Sequence, residues 1–209
     1  MSATRSERPS PGGRAGRYHH GDLKAALIDV AVELIAERGV RDFSLAEASR
    51  RLGVTVAAPY RHFADRDELL AAVAVRALGT LEAALAAEVT GGEPPERRLA
   101  ALAGAYVRFA AAHRPLFGTL FGSGIDKDRF PEVRRAAEPV ETVFMSCVLM
   151  VCGDDPGAAE ALAGAVLATA HGYATLLLDG AAVGGLDASD TAAERAVQAL
   201  VEGRSALPE

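Results

Sequence analysis

The sequence predicts an all-α protein of about nine helices. The 209-residue chain is 50% hydrophobic and 24% charged, close to the averages for globular proteins. Trp is absent and aromatic residues make up only 5%, so the core must consist mostly of Ala, Leu and Val, a mixture that favours helices over sheets. Apolar residues recur at helical spacing between Gly and Pro breakers, and neither a strand pattern nor an internal repeat is found.

The formal net charge of −6, taken alone, argues against a nucleic-acid partner. That value averages two unlike regions. Residues 1–66 contain 11 basic and 8 acidic side chains, whereas residues 67–209 contain 11 basic and 20 acidic ones. We therefore expect a small, mildly basic part attached to a large acidic one.

Residues 1–17 are predicted to form a flexible basic arm. They contain four Arg, one Glu, two Pro and three Gly, and such a stretch cannot bury enough apolar surface to fold. Two interpretations stay open at this point. The arm is either a solvated tail or a segment that reaches a DNA groove, and the second requires a DNA-binding module to follow.

The first helix is predicted from an apolar stripe formed by Leu23, Leu27, Val30 and Leu34. It begins at Gly21 or Asp22 and ends at Gly39. Ser44 and Glu47 then form a capping box for a second, short helix that ends at Arg51-Leu52 before Gly53.

Thr55 is predicted to cap a third short helix over residues 56–62. Asp65 and Glu68 repeat the capping box and open a long helix through about Val89. Two short helices joined by a tight turn at Gly53 form a helix-turn-helix, which presents one face of its second helix to the DNA major groove.

The segment Tyr60-Arg61-His62-Phe63, followed by Asp65-Arg66-Asp67-Glu68-Leu69-Leu70, resembles the signature of the tetracycline-repressor (TetR) family. The resemblance spans Tyr18 to about Val75 and includes Gly39-Val40, Ser44 and Gly53-Val54-Thr55. It departs from the family at Arg66, where Lys is commoner; the positive charge is kept.

This resemblance implies a dimer in which each third helix enters a major groove. Tyr60 and His62 suit phosphate oxygens, and Arg66 at the first turn of the fourth helix suits a phosphate clamp. The alternatives are a half-buried core position for Tyr60 and a plain surface charge for Arg66. The predicted DNA-binding residues are Arg17, Tyr18, Ser44, Thr55, Val56, Ala58, Tyr60, Arg61, His62 and Arg66.

Base reading is expected to be sparse in this module. Arg61 is the one strong base reader, because the small side chains at positions 54–59 can contact thymine methyl groups but cannot make bidentate hydrogen bonds to bases. We therefore expect groove shape and the arm at residues 17–20 to contribute more than usual to specificity.

The second region is predicted to contain further helices between breakers. Pro139 marks a place where one of them can bend, and Asp154 or Asp155 caps the next. After the long fourth helix, the predicted helices are Glu96–His113, Leu116–Phe121, Pro131–Cys152, a helix from the Asp cap through Leu178, and Ser189 to about Gly203.

Two features of this region suggest an oligomer interface and a subclass. Gly164, Ala168 and Gly172 leave one helical face nearly bare, which suits a four-helix dimer interface, although such spacing arises readily by chance in an Ala-rich chain. The run Ala170-His171-Gly172, followed by residues 176–180, is similar to a TetR C-terminal subclass named for a Trp-His-Gly motif, with Ala170 in the Trp position.

A largely apolar small-molecule effector is expected to bind among aromatic and apolar side chains of this region. These residues could equally fill a core, and His171 is either a ligand contact or a helix-packing histidine. The candidate pocket residues are Tyr106, Phe109, Phe117, Phe121, Phe144, Met145 and His171.

The sequence therefore predicts a cytoplasmic, ligand-responsive transcriptional regulator, usually a repressor, that binds a palindromic DNA operator as a homodimer. Its expected divisions are residues 1–17, 18–66 and 67–209. We expect no cofactor, metal or membrane contact, and no enzyme activity, because Cys147 and Cys152 lack a partnered His and neither GxSxG nor HExxH occurs. The alternative is a helical DNA-binding or interaction protein without ligand sensing.

Overall fold

The computed structural model describes residues 20–204 except 90, 127 and 183, with side chains from residue 23 onward. Over these residues the chain is all-helical, as predicted. It contains eight α-helices and one 3₁₀ turn, where the sequence predicts about nine helices. The α-helices are α1 (His20–Arg38), α2 (Leu45–Leu52), α3 (Arg66–Glu88), α4 (Pro95–Ala112), α5 (Arg114–Gly122), α6 (Pro131–Cys152), α7 (Pro156–Leu178) and α8 (Gly185–Glu202).

The corner between α1 and α2 is formed by predicted signals. Ser44 caps α2 by accepting a hydrogen bond from the Glu47 amide at 3.2 Å, and Gly53 ends the helix in a left-handed conformation with φ of 67°. The reciprocal half of the capping box is missing. The Glu47 carboxylate pairs with Arg38 and Arg50 instead of turning back to the cap amide.

The predicted third helix over residues 56–62 is wrong. Residues 56–58 form a turn, and only Pro59–Arg61 forms a 3₁₀ turn. Pro59 explains the difference because it has no amide hydrogen to donate to the carbonyl of Thr55, four residues earlier, and its ring would crowd that carbonyl. Pro59 therefore starts the 3₁₀ turn, and Thr55 is not an N-cap.

The long helix α3 joins the two parts of the molecule. It packs against α1 of the N-terminal module (α1, α2 and the 3₁₀ turn) and against α4, α5 and α6 of the C-terminal body (α4–α8). Asp65 caps it by accepting the Glu68 amide at 2.9 Å, and Glu68 accepts the Ala64 amide in return. Its buried residues run from Leu69 to Leu85, so one helix contributes to the packing of both parts.

The body is built around α4, which packs against α3, α6, α7 and α8. The predicted helix bounds agree to within one or two residues, except that α8 begins four residues early, at Gly185. α6 continues through Pro139, and Asp155 is the cap of α7, where it accepts the Ala158 amide at 3.0 Å.

Two helices have the length and apolar composition that a membrane span requires, namely α3 and α7. This is weak evidence for a membrane, since core helices share both properties. Here α3 packs against four other helices, and α7 packs against α4, α6 and α8. Packing accounts for much of the apolar composition of α3, whereas the apolar stretch of α7 is only 22% buried, and Leu167 and Leu176 of that helix are exposed.

Candidate DNA-binding surface and ligand cavity

The surface after Gly53 exposes side chains that the fold does not use for packing. Val56 and Tyr60 are each 54% exposed, and Thr55 and Arg61 are exposed beside them. Phe63, by contrast, is 2% exposed and belongs to the core. Tyr60 therefore lies outside the core, with its ring and hydroxyl available to a partner.

The 3₁₀ turn holds this surface in a fixed conformation. Pro59 is buried, and its carbonyl accepts the amides of His62 at 2.9 Å and Phe63 at 3.0 Å. Ala58 and His62 are partly buried on either side. The exposed side chains are thus mounted on a turn that is anchored in the core at both Pro59 and Phe63.

Ser44 and Arg66 lie at the starts of α2 and α3. Ser44 is exposed at the N-terminus of α2, where free amides favour an anion. Arg66 stacks 4.8 Å from the centre of the Phe43 ring, donates from Nε to the Phe43 carbonyl at 3.1 Å and donates to the Val40 carbonyl. Arg66 thus ties α3 to the α1–α2 corner, and a phosphate would compete with those carbonyls. Arg17 and Tyr18 lie outside the described residues.

The start of α3 is also held by ion pairs to the body, in addition to the Arg66 contacts with the α1–α2 corner. Arg129, in the loop between α5 and α6, pairs with Asp65 and lies 3.3 Å from Asp67. The Glu68 amide and Arg129 together lower the pKa of Asp65, and the Asp65 carboxylate raises the pKa of Arg129. Asp65 therefore serves both as the helix cap and as the partner of a residue from the body.

The body contains two adjoining apolar cavities. The first, of about 160 Å³, lies between α3, α4, α6 and α7. The second, of about 270 Å³, lies between α3, α5, α6 and the α5–α6 loop, and it also touches α4 and α7. Their shared lining residues are Leu81, Tyr106, Val140, Glu141 and Leu167. The cavities are therefore neighbouring parts of one space that α3 bounds.

Three predicted pocket residues line these cavities: Tyr106 lines both, Phe144 the first and Phe121 the second. Phe109 and Phe117 are buried core residues. Met145 lies in a shallow depression on the outer surface of α6 with Glu138, Glu141 and Thr142.

His171 belongs to an aromatic cluster beside the cavities. Its Nδ1 is 2.9 Å from the Tyr106 hydroxyl, and its ring stacks on Phe117 with the centroids 5.5 Å apart. Phe121 meets the His171 ring edge-on at 4.8 Å. Burial raises the pKa of Tyr106, so its phenol is neutral at physiological pH. His171 holds the phenol that lines both cavities.

Glu141 is the functional candidate that sequence reasoning missed. It lines both cavities and, among the described residues, is their one charged lining residue. A signal was available, because Ala137, Glu141 and Phe144 follow each other at spacings of four and three along α6. A carboxylate therefore sits within an apolar helical stripe.

No group of three or more His, Cys, Asp or Glu side chains converges on a metal-sized site within the described part of the chain. Cys147 is buried and Cys152 partly buried, and burial raises the pKa of both thiols. Neither thiol has the lowered pKa of a nucleophile.

Two family models match separate parts of the chain. Residues 27–73 match bacterial regulatory proteins of the tetR family, and residues 99–200 match the tetracyclin repressor-like C-terminal domain. The chain belongs to the TetR family. It is accordingly a DNA-binding transcriptional regulator and not an enzyme. The Trp-His-Gly subclass is not specifically tested by these matches and stays a prediction.

Solved structures share this fold over most of the chain. A protein of unknown function from Rhodococcus sp. RHA1 is 37% identical, with 88% of this chain and 97% of that chain covered and a TM-score of 0.72. The TetR regulator PfmR from Thermus thermophilus shares the fold at 20% identity, with 84% and 96% covered and a TM-score of 0.62. RolR, solved with resorcinol bound, shares it at 22% identity, with 91% and 97% covered and a TM-score of 0.59. A comparison with curated proteins found no match.

Proposed function

We propose that this TetR-family protein is a homodimeric repressor that a small-molecule effector releases from a palindromic operator. One observation carries the proposal: α3 starts at the DNA-binding surface and also bounds both cavities of the body. Ala74, Leu78 and Leu81 of α3 line the second cavity, and Arg66 of the same helix holds the α1–α2 corner. A molecule that moves α3 would therefore move the surface that contacts DNA.

The DNA contacts are proposed to be of two kinds: phosphate contacts that position the protein, and base contacts that recognise the operator sequence. Ser44, Tyr60 and His62 contact phosphates, and the Arg17-Tyr18 arm adds contacts in the neighbouring groove. Arg61 reads a base edge, while Thr55, Val56 and Ala58 face the groove with small side chains. Arg66 is retained as a phosphate contact that exchanges one of its carbonyl partners on binding.

The dimer is proposed to form on the outer face of α7. Gly164 and Ala168 are exposed and Gly172 is partly exposed, and a β-carbon built on either glycine would meet no other atom within 4 Å. Leu176, on the same helix, is 50% exposed. This face allows close helix approach by a second copy, which would set the two DNA-binding surfaces to successive major grooves roughly 34 Å apart.

Release is proposed to act through the α5–α6 loop as well as through α3. Ile125 of that loop lines the second cavity, and Arg129, four residues on, pairs with Asp65 at the cap of α3. An effector that fits better when this loop and α3 are displaced would favour that state by its difference in affinity for the two states. The protein would act in the cytoplasm, where the operator is.

The test is selection of fragments from the source genome with the purified full-length protein, followed by a salt titration on a selected fragment. We expect a palindromic site, and log affinity falling with log salt at about 0.9 per phosphate neutralised. Arg61→Ala should lose discrimination at one position, while Arg97→Ala, on the exposed side of α4, serves as its control. No enriched palindrome at low salt would overturn the proposal, and enrichment with no effector response would favour DNA binding without ligand sensing.

A further inference from the structure

We infer that the effector is an amphiphilic cation, with an apolar body inside the two cavities and an ammonium-type head at Glu141. The inference rests on the proposed function, because it assigns a chemical class to the effector of the same cavity. It depends on which lining groups are polar, and on which of those polar groups already have partners.

Polar side chains are scarce in both cavities. The first cavity presents almost no polar surface. The lining side chains able to form hydrogen bonds are Tyr106 and Glu141, which both cavities share, and Thr119 in the second cavity. The remaining lining residues are Leu, Val, Ala, Ile and Phe. The cavity therefore favours an apolar body, because burying that body removes hydrocarbon from water without leaving a polar ligand group unpaired.

Two of the three polar groups are already engaged. The Tyr106 hydroxyl is 2.9 Å from His171 Nδ1, and the Thr119 hydroxyl donates to the Pro115 carbonyl at 2.8 Å. Among the described residues, no side chain forms an ion pair or hydrogen bond with the Glu141 carboxylate. Glu141 is thus the one charged acceptor of the lining, and the one polar lining side chain among the described residues without a partner.

The position of Glu141 at the edge of the cavities places the head group and the apolar body of the ligand in different surroundings. It is exposed, and it also lines the shallow depression on the outer surface of α6 together with Glu138, one turn earlier. A head group at Glu141 would lie near water, while the body would extend inward past Val140 and Leu81. No Lys or Arg of the described chain lines either cavity, so an anionic head would meet carboxylates and no counter-charge there.

The net charge of the body also favours a cation at this site. Residues 67–209 contain 20 acidic and 11 basic side chains, and such an excess raises the local concentration of cations near the cavity mouth.

The test compares n-octylammonium, n-octanol and n-octanoate, which share one chain length and differ in head-group charge. Each is titrated calorimetrically at millimolar concentration into the full-length protein at pH 7. We expect octylammonium to bind most tightly. Glu141→Gln should weaken its binding roughly two- to fivefold and leave octanol unchanged, as expected for loss of one exposed ion pair. Glu132→Gln, on the same helix but away from both cavities, is the charge control.

The outcomes separate the ligand class from the proposed function. Equal or tighter binding of octanol or octanoate, no effect of Glu141→Gln, or no binding of octylammonium would overturn the cationic class. If octanol or octanoate binds and weakens operator affinity, the proposed function stands and only the charge assignment fails. Val140→Trp, which fills the space shared by both cavities, should abolish octylammonium binding; unchanged binding would place the probe elsewhere and overturn the inference.

Discussion

The N-terminal module and the C-terminal body use their apolar residues in opposite ways. In the module, Phe63 and Pro59 are buried and fix a turn whose exposed side chains face outward. In the body, α3, α4, α6 and α7 leave unfilled space between them. The module therefore presents exposed side chains on a well-packed turn, whereas the body contains cavities that a ligand can occupy. Substitutions in the module should accordingly abolish operator binding, and substitutions in the body should change how strongly the operator is bound.

The largest effect is expected for Phe63→Ala in the module. Removing a buried aromatic ring should cost about 3–5 kcal/mol of unfolding free energy and abolish operator binding. Val56→Ala, at a 54% exposed position, should change stability by less than about 0.5 kcal/mol. Urea unfolding followed by circular dichroism measures both, and a Phe63→Ala protein as stable as wild type would contradict the module's rigid core.

The next effect concerns base reading. Arg61→Ala should weaken operator binding by about 1–3 kcal/mol and relax specificity at one base pair, because a bidentate contact would be lost. Fluorescence anisotropy with operator variants at each position measures this. An equal loss for every operator variant would show that Arg61 contacts a phosphate, contrary to the prediction.

A smaller effect is expected where the two regions meet, at the cap of α3. Asp65→Ala removes the acceptor of the Glu68 amide and should cost about 1 kcal/mol, while Asp65→Asn keeps a cap and should cost only a few tenths. Both variants are measured by urea unfolding at pH 7. Equal destabilisation by Ala and Asn would contradict a capping role for Asp65.

The contribution of the ionised Asp65 carboxylate to stability should be lost in acid. Because the pKa of Asp65 is lowered in the folded protein, its carboxylate stabilises the fold above the unfolded pKa of about 3.9, and this contribution disappears as the pH falls through the folded value. Asp65→Asn should therefore lose less stability than wild type between neutral pH and pH 3. Parallel curves for the two proteins would contradict this.

The smallest equilibrium effect is expected for Arg129→Gln. Its ion pairs with Asp65 and Asp67 are exposed, so global stability should not change measurably. The α5–α6 loop should nevertheless detach from α3 more often, and its amides should exchange faster with deuterium. Arg134→Gln, at an exposed site on α6, is the matched control. Unchanged amide exchange in residues 123–130 would contradict a role of this loop in release from the operator.

The sequence predicts the elements whose signals are local. Ser44, Gly53 and Asp65 have the roles that their side chains or conformations suggest, so the bounds of α2 and α3 follow from the sequence. The third helix fails because Pro59, four residues after Thr55, removes the hydrogen bond that a full turn needs. Proline is tolerated at the first residues of a helix, and Pro59 is expected to fall there. In a helix capped by Thr55, however, residue 59 would donate the first intrahelical hydrogen bond.

The candidate site is less predictable because it depends on contacts between distant helices. Aromatic residues of the body could equally fill or line a cavity, and helical periodicity does not distinguish Phe117 in the core from Phe121 on a cavity wall. The 2.9 Å contact between Tyr106 and His171 joins residues 65 positions apart. The spacing along α6 marks Glu141 as a carboxylate in an apolar stripe, but its place in the cavity lining needed the structure, since Leu81 and Leu167 beside it come from α3 and α7.

The operator affinity of Val140→Trp tests most directly whether the cavity space in the body controls the DNA-binding surface through α3. The chain has no other Trp, so a blue-shifted indole emission would verify that the new ring is buried in the cavity. We predict operator binding weakened by about tenfold or more, the change expected if the filled cavity favours the displaced state. Ser146→Trp, on the exposed side of α6, should bind the operator like wild type. A buried indole at position 140 with unchanged operator affinity would contradict the account.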